Sequence, residues 1–138
     1  MIQDKVAILI KKTALVVEKL SNHMLAPYEL THTQYKILMV LFRNKGKQIR
    51  QADLEAHFSM TNPSVTGIIQ NLEKKGLLER VQHPDDKRSK LLKLTEQAIS
   101  LEKELYALGE SIEMQITKNL TAEESKQLIV LLKKVMED

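Results

Sequence analysis

The 138-residue chain contains no cysteine. That absence excludes disulfides, thiolate zinc sites, cysteine nucleophiles and thiol-based redox sensing, and nothing points to export. A Gly-rich phosphate loop is missing too, and clustered carboxylates stand only in a basic stretch or on amphipathic segments, so no enzyme chemistry is visible and no cofactor is expected. His23, His32, His57 and His83 never pair at i, i+3 or i, i+4, which leaves no metal site. With no internal repeat, low-complexity tract or linker rich in Gly, Pro or Ser, residues 1–138 are expected to form a single domain. No membrane span is present either. The stretch MIQDKVAILIKKTALVVEKL carries Asp4, Lys11, Lys12, Glu18 and Lys19 within an apolar periodicity, the mark of an amphipathic helix, and a cytoplasmic location is expected.

What the chain does have is charge unevenly spread and helical periodicity nearly throughout. The net charge of +3 divides into +3 over residues 1–43, +4 over 44–93 and −4 over 94–138. A base-rich middle suits a nucleic-acid binder, but an asymmetry of this size also arises by chance, so charge alone decides nothing. Val6, Leu9, Ile10, Val16, Val17, Leu20 and Met24 recur at helical spacing up to Pro27 and predict a long first helix. Thr31 with Gln34 reads as a capping box opening a second helix, marked by Tyr35, Leu38, Leu41 and Phe42 and ending near Gly46. QADLEAH, residues 51–57, suits a short third helix. After the turn FSMT, NPSVTGIIQNLEKKG predicts a fourth, with Asn62 as N-cap, Pro63 in the first helical position and Gly76 closing it.

The fourth helix is two-sided. Val65, Ile68, Ile69 and Leu72 form an apolar stripe, while Pro63, Ser64, Thr66, Gly67, Gln70 and Lys74 leave a face of small neutral hydrogen-bonding groups and one cation. A merely solvated face is usually rich in Glu and Lys. LLERVQ and KLLKL, on either side of the charged stretch HPDDKRS, predict the two strands of a hairpin. Beyond Thr95, Leu101, Leu105, Leu108, Ile112 and Ile116 predict a long fifth helix, and Thr121 with Glu124 caps a sixth. Five consecutive apolar residues in that last helix, 128–132, cover more than one helix face and imply a second chain.

Short helix, tight turn, polar-faced helix and charged hairpin, in that order, make a winged helix-turn-helix. Its second helix is narrow enough for a major groove, and Thr61, Asn62, Pro63, Ser64, Thr66, Gln70 and Lys74 are the candidate contacts there. The hairpin is the wing. Arg88 at its tip suits a narrow minor groove of concentrated negative potential, with Asp86 fixing the guanidinium fork and Lys87, Ser89 and Lys90 on phosphates. The chain resembles the MarR family of bacterial transcription regulators over essentially its whole length. Asp86-Lys87-Arg88 followed by a hydrophobic strand ending in Leu94-Thr95 matches the family's wing, and NLEKKGLLER matches the end of its recognition helix and the start of the wing. Two departures are an Ala at position 98, where many members have Gly, which should merely extend the fifth helix, and a turn FSMT without Gly, whose geometry stays open.

The resemblance implies a mainly α fold, a winged helix-turn-helix with a two-stranded β wing and long dimerisation helices at both termini. Residues 1–25 and 97–138 would be the dimerisation helices and 31–95 the winged lobe. It further implies a homodimer on a roughly palindromic operator in double-stranded DNA, acting as a repressor released by a small anionic or aromatic effector. Met24, Tyr28, His32, Tyr35 and Met39 are candidates for lining an effector cavity, though such residues are more often core. The alternative reading is a winged-helix protein-interaction module without DNA binding.

Overall fold

The computed structural model describes residues 5–137. Seven helices and one hairpin follow in order: α1 Val6–Leu25, α2 His32–Arg43, α3 Gln51–Phe58, α4 Asn62–Lys74, β1 Leu78–Gln82, β2 Lys90–Leu94, α5 Glu96–Ser100, α6 Glu102–Ile116 and α7 Ala122–Met136, with a short 3₁₀ turn at Ala26–Tyr28. The first four residues of the expected amino-terminal helix lie outside the described residues. Two compact units emerge: a lobe, Leu25–Leu105, and a terminal unit made of the described residues up to Met24 together with those from Tyr106.

The lobe folds around the apolar stripe of α4. Val65, Ile69 and Leu72 are completely buried, together with Ile37 and Leu38 of α2 and Leu54 of α3. Each such side chain contributes on the order of 1.5–3 kcal/mol through burial. β1 and β2 pair antiparallel from Leu78 opposite Leu94 to Gln82 opposite Lys90. Leu91, Leu92 and Leu94 close the core from the sheet side. The Leu92 N–H donates to the Ile49 carbonyl at 2.8 Å, so the segment before α3 is stitched to the inner edge of the wing.

Local signals explain most element ends. Both capping boxes are formed: Thr31 Oγ1 accepts from Gln34 N while Gln34 Oε1 accepts from Thr31 N, and Thr121 and Glu124 do the same. Gly76, at a φ of +74°, closes α4, its N–H donating to the Glu73 carbonyl and that of Leu77 to Leu72. In the glycine-free turn after α3 the left-handed position is taken by Ser59, at a φ of +51°. The Met60 N–H then reaches back to the Glu55 carbonyl at 3.0 Å and completes the helix stop.

Two expectations are corrected. The N-cap of α4 is Thr61, whose Oγ1 accepts from Ser64 N, so Asn62 and Pro63 are the first two helical residues. A threonine one residue earlier reaches the third amide as well as an asparagine would, and Pro is tolerated anywhere in the first turn. The long fifth helix is broken at Leu101 into α5 and α6. There Leu101 N donates to Ala98 and the Ser100 hydroxyl to the Gln97 carbonyl at 2.6 Å, a local bond that competes with the helical ladder. Ala98 is buried in the first turn of α5, donating its N–H to Thr95 Oγ1.

In the terminal unit the apolar residues point the other way. Leu128, Ile129, Val130, Leu131 and Leu132 of α7 are all exposed, as are Leu9, Leu15 and Val16 of α1.

Candidate nucleic-acid interface

The exposed side of α4 starts at its N-cap. Thr61 Oγ1 donates to Ser64 Oγ at 2.9 Å, which orients that hydroxyl at the helix end. Asn62, Pro63, Ser64, Gln70 and Lys74 are exposed and Thr66 and Gly67 half-buried. Gly67 is the peculiar one. A Cβ built there meets no atom within 4 Å, so nothing inside the lobe requires a glycine. A helix-interior glycine costs about 1 kcal/mol relative to alanine. Its gain is a shallow, side-chain-free step on the open face, between Pro63 and Gln70.

Gln51, at the first position of α3, holds this helix to its neighbour. Its Nε2 lies 2.8 Å from Thr66 Oγ1, 3.1 Å from Glu55 Oε2 and 3.4 Å from the Asn62 carbonyl. Asn62 Nδ2 donates to the same Glu55 oxygen at 2.9 Å. Thr66 and Asn62 are therefore engaged inside the lobe, whereas Gln70 and Lys74 make no side-chain hydrogen bond or ion pair with the described residues.

In the wing, the tip from His83 to Ser89 is built around Asp86. Asp86 Oδ1 accepts from the Arg88 backbone N–H at 2.9 Å and Oδ2 from the Ser89 hydroxyl at 2.9 Å. The expected role of Asp86 is corrected accordingly: it shapes the backbone that carries Arg88 and forms no ion pair with the guanidinium, because a carboxylate two residues back lies within easy reach of the amide in an Asx turn. Those two bonds, first the Arg88 N–H and then the Ser89 hydroxyl, hold the Asp86 carboxyl below its ordinary value of 3.8, with lesser help from the charges of Arg50 and His83. Asp85 N donates to His83 Nδ1 at 3.0 Å, and Gln82 Nε2 to the Asp86 carbonyl at 3.1 Å. Lys87, Arg88 and Lys90 stay exposed; Lys90 Nζ approaches Gln82 Oε1 at 3.3 Å.

Wing and α4 face one cleft of about 500 Å³, lined by Thr66 and Asn62 of α4, Ser89 and Lys90 of the wing, and Arg50, Gln51 and Arg80. The last three escaped the sequence reading. Arg80 is tied to Glu73 of α4 at 2.8 Å, a half-exposed pair worth about 0–1 kcal/mol that fixes the root of the wing against α4. Arg50 sits just before α3 with its N–H on Asp53 Oδ2. Only its position, three residues after the turn that ends at Lys47 and immediately before α3, could have singled it out.

The proposed effector residues fall in both units. Tyr35 and Met39 are buried in the lobe, the Tyr35 hydroxyl donating to the Leu105 carbonyl at 3.1 Å. His32 is half-exposed at the start of α2, and Met24 belongs to the terminal unit. Tyr28 donates its hydroxyl to Glu104, which raises its pKa above the ordinary 10.0. Among the described residues no three His, Asp or Glu side chains converge as metal ligands, and no helix is long and apolar enough to cross a membrane.

Residues 30–90, the lobe from the start of α2 to the wing, match the model of the MarR family. The multiple antibiotic resistance protein MarR of Salmonella typhimurium is 34% identical over 120 residues, which cover 86% of this chain and 82% of that protein. The chain belongs to the MarR family. Among solved structures, a cysteine-to-serine mutant of Escherichia coli MarR complexed with operator DNA superposes with a TM-score of 0.87 at 32% identity, covering 96% of this chain and 94% of that one. The transcription regulator MarR of Oenococcus oeni gives 0.78 at 34% identity, over 97% of this chain and all of that one. A MepR–DNA complex from Staphylococcus aureus, at 23% identity and a TM-score of 0.87, shares the fold.

Proposed function

We propose that this MarR-family chain is a sequence-specific DNA-binding transcription regulator and not an enzyme: a homodimer on a roughly palindromic operator, repressing in the cytoplasm until a small effector releases it. The observation that carries the reading is the open face of α4 beside the wing. One helix presents Ser64, Gly67, Gln70 and Lys74 outward, and a hairpin beside it presents Lys87, Arg88 and Lys90. A helix face of this kind fits a major groove, where Gln70 reads base edges, while the wing lysines hold phosphates and Arg88 enters the flanking minor groove. The resemblance to a structure complexed with operator DNA supports DNA binding.

The homodimer rests on the exposed apolar rows of α1 and α7, which no stable monomer leaves wet on this scale. Selection of bound sequences from a random DNA pool, followed by salt titrations, tests the whole reading. A two-fold symmetric site is expected. Lys90→Ala should lower affinity for all sequences alike and flatten the salt dependence by about one counterion, whereas Gln70→Ala should change the preferred bases. A pool that yields no enriched sequence, with no binding to DNA even at low salt, would leave a winged interaction module without DNA binding instead.

A further inference from the structure

On the lobe, a second cleft of about 220 Å³, sharing only Leu92 with the first, lies between the end of α2, the loop after it, β2 and Ile99 of α5. We infer that it is a binding site for a small aliphatic carboxylate. Its walls include Leu41, Ile49 and Ile99, and no aromatic ring lines it. Ile99, 45% exposed, is the one large apolar side chain that the described lobe leaves in water; the other exposed ones all belong to the terminal unit. Three lysines border the same cleft: Lys45, Lys47 and Lys93. Lys45 is neutralised by Glu102 at 2.5 Å. Lys47 and Lys93 have no ion pair or side-chain hydrogen bond among the described residues, and Glu79, opposite Lys93 across the hairpin, forms none with it.

An aliphatic surface next to two uncompensated ammonium groups is complementary to an alkyl chain ending in one anion. The chain removes Ile99 from water, and the carboxylate takes charge-assisted hydrogen bonds from Lys47 and Lys93. The volume is below the ~300–1,000 Å³ of pockets for drug-sized ligands, which restricts the occupant to a short chain. None of the residues named earlier for an effector lines this cleft, and the site stands whether or not the chain binds DNA.

The test is calorimetric titration of the full-length protein, without DNA, with hexanoate and its neutral isostere hexanamide. Hexanoate should bind saturably and at least ~10-fold more tightly than hexanamide, since only the anion satisfies the lysines. Butanoate should bind about fourfold more weakly per methylene removed. The double variant Lys47→Gln with Lys93→Gln should bring hexanoate down to the level of hexanamide, and Ile99→Ser should weaken both, with melting curves confirming that the variants fold. Equal binding of the two probes, no saturable binding, or indifference to Ile99→Ser would overturn the site. If no probe bound and Ile99→Ser instead raised the dimer dissociation constant in sedimentation, the cleft would be a contact between copies, and the proposal would fall.

Discussion

At the scale of single residues, Gly67 and Arg88 separate what folding needs from what binding needs. Because a Cβ on Gly67 would meet nothing within 4 Å, Gly67→Ala should stabilise the protein by about 0.5–1 kcal/mol. The same methyl would stand between α4 and a groove floor, so operator affinity should fall while the melting temperature rises. A variant that gained stability and bound DNA unchanged would show that this face does not approach the bases. Arg88→Ala should weaken operator binding by ~1–3 kcal/mol per half-site with no change in circular dichroism, as loss of one groove contact from an exposed tip. Asp86→Ala removes the acceptor of both Arg88 N and Ser89 Oγ, so it loosens the loop that presents the arginine. Measured off-rates should therefore rise for Asp86→Ala even though a negative charge near phosphates has been removed.

At the scale of elements, the wing tip should be acid-sensitive. A carboxyl whose folded pKa lies below its unfolded one stabilises fully above the unfolded value and loses that contribution as pH falls through the folded one. For Asp86 the window opens near the ordinary 3.8 and extends below it. Amide exchange at Arg88 and Ser89, followed by NMR through that range, should accelerate before the amides of α4 do; simultaneous loss would deny the tip a local role for Asp86. Much of the element plan was legible in the chain itself. The apolar-bearing segments LLERVQ and KLLKL on either side of a charged stretch, the stripe of Val65, Ile69 and Leu72 and both Thr capping boxes are local patterns, and local patterns survive packing. Part of what escaped depends on partners distant in sequence, and part on local bonds that side-chain periodicity does not encode. Gln51 becomes the clamp of α4 only through Thr66, fifteen residues on, and the break at Leu101 interrupts a periodicity that gives no hint of it. The carboxylate of Asp86 chose a backbone amide over the expected guanidinium because the turn brings that amide closer.

At the scale of the whole molecule, the exposed apolar rows of α1 and α7 carry the proposed homodimer. Truncation after Leu120 deletes α7 and leaves the lobe intact in sequence, yet operator binding should fall by on the order of 10²–10⁴-fold, since two linked lobes make the second docking intramolecular. Light scattering coupled to size exclusion should show a monomer or aggregate for the truncated chain; a well-behaved truncated dimer would move the interface elsewhere. The exposed row from Leu128 to Leu132 has a further consequence, one of mass action. If pairing covers that row, the folded chain and its partner share one equilibrium, and thermal stability climbs with protein concentration. A cell holding few copies then holds them in a form prone to unfolding and proteolysis, while a modest rise in synthesis is amplified into a larger rise in durable protein. Abundance becomes a threshold written into the surface of the last helix.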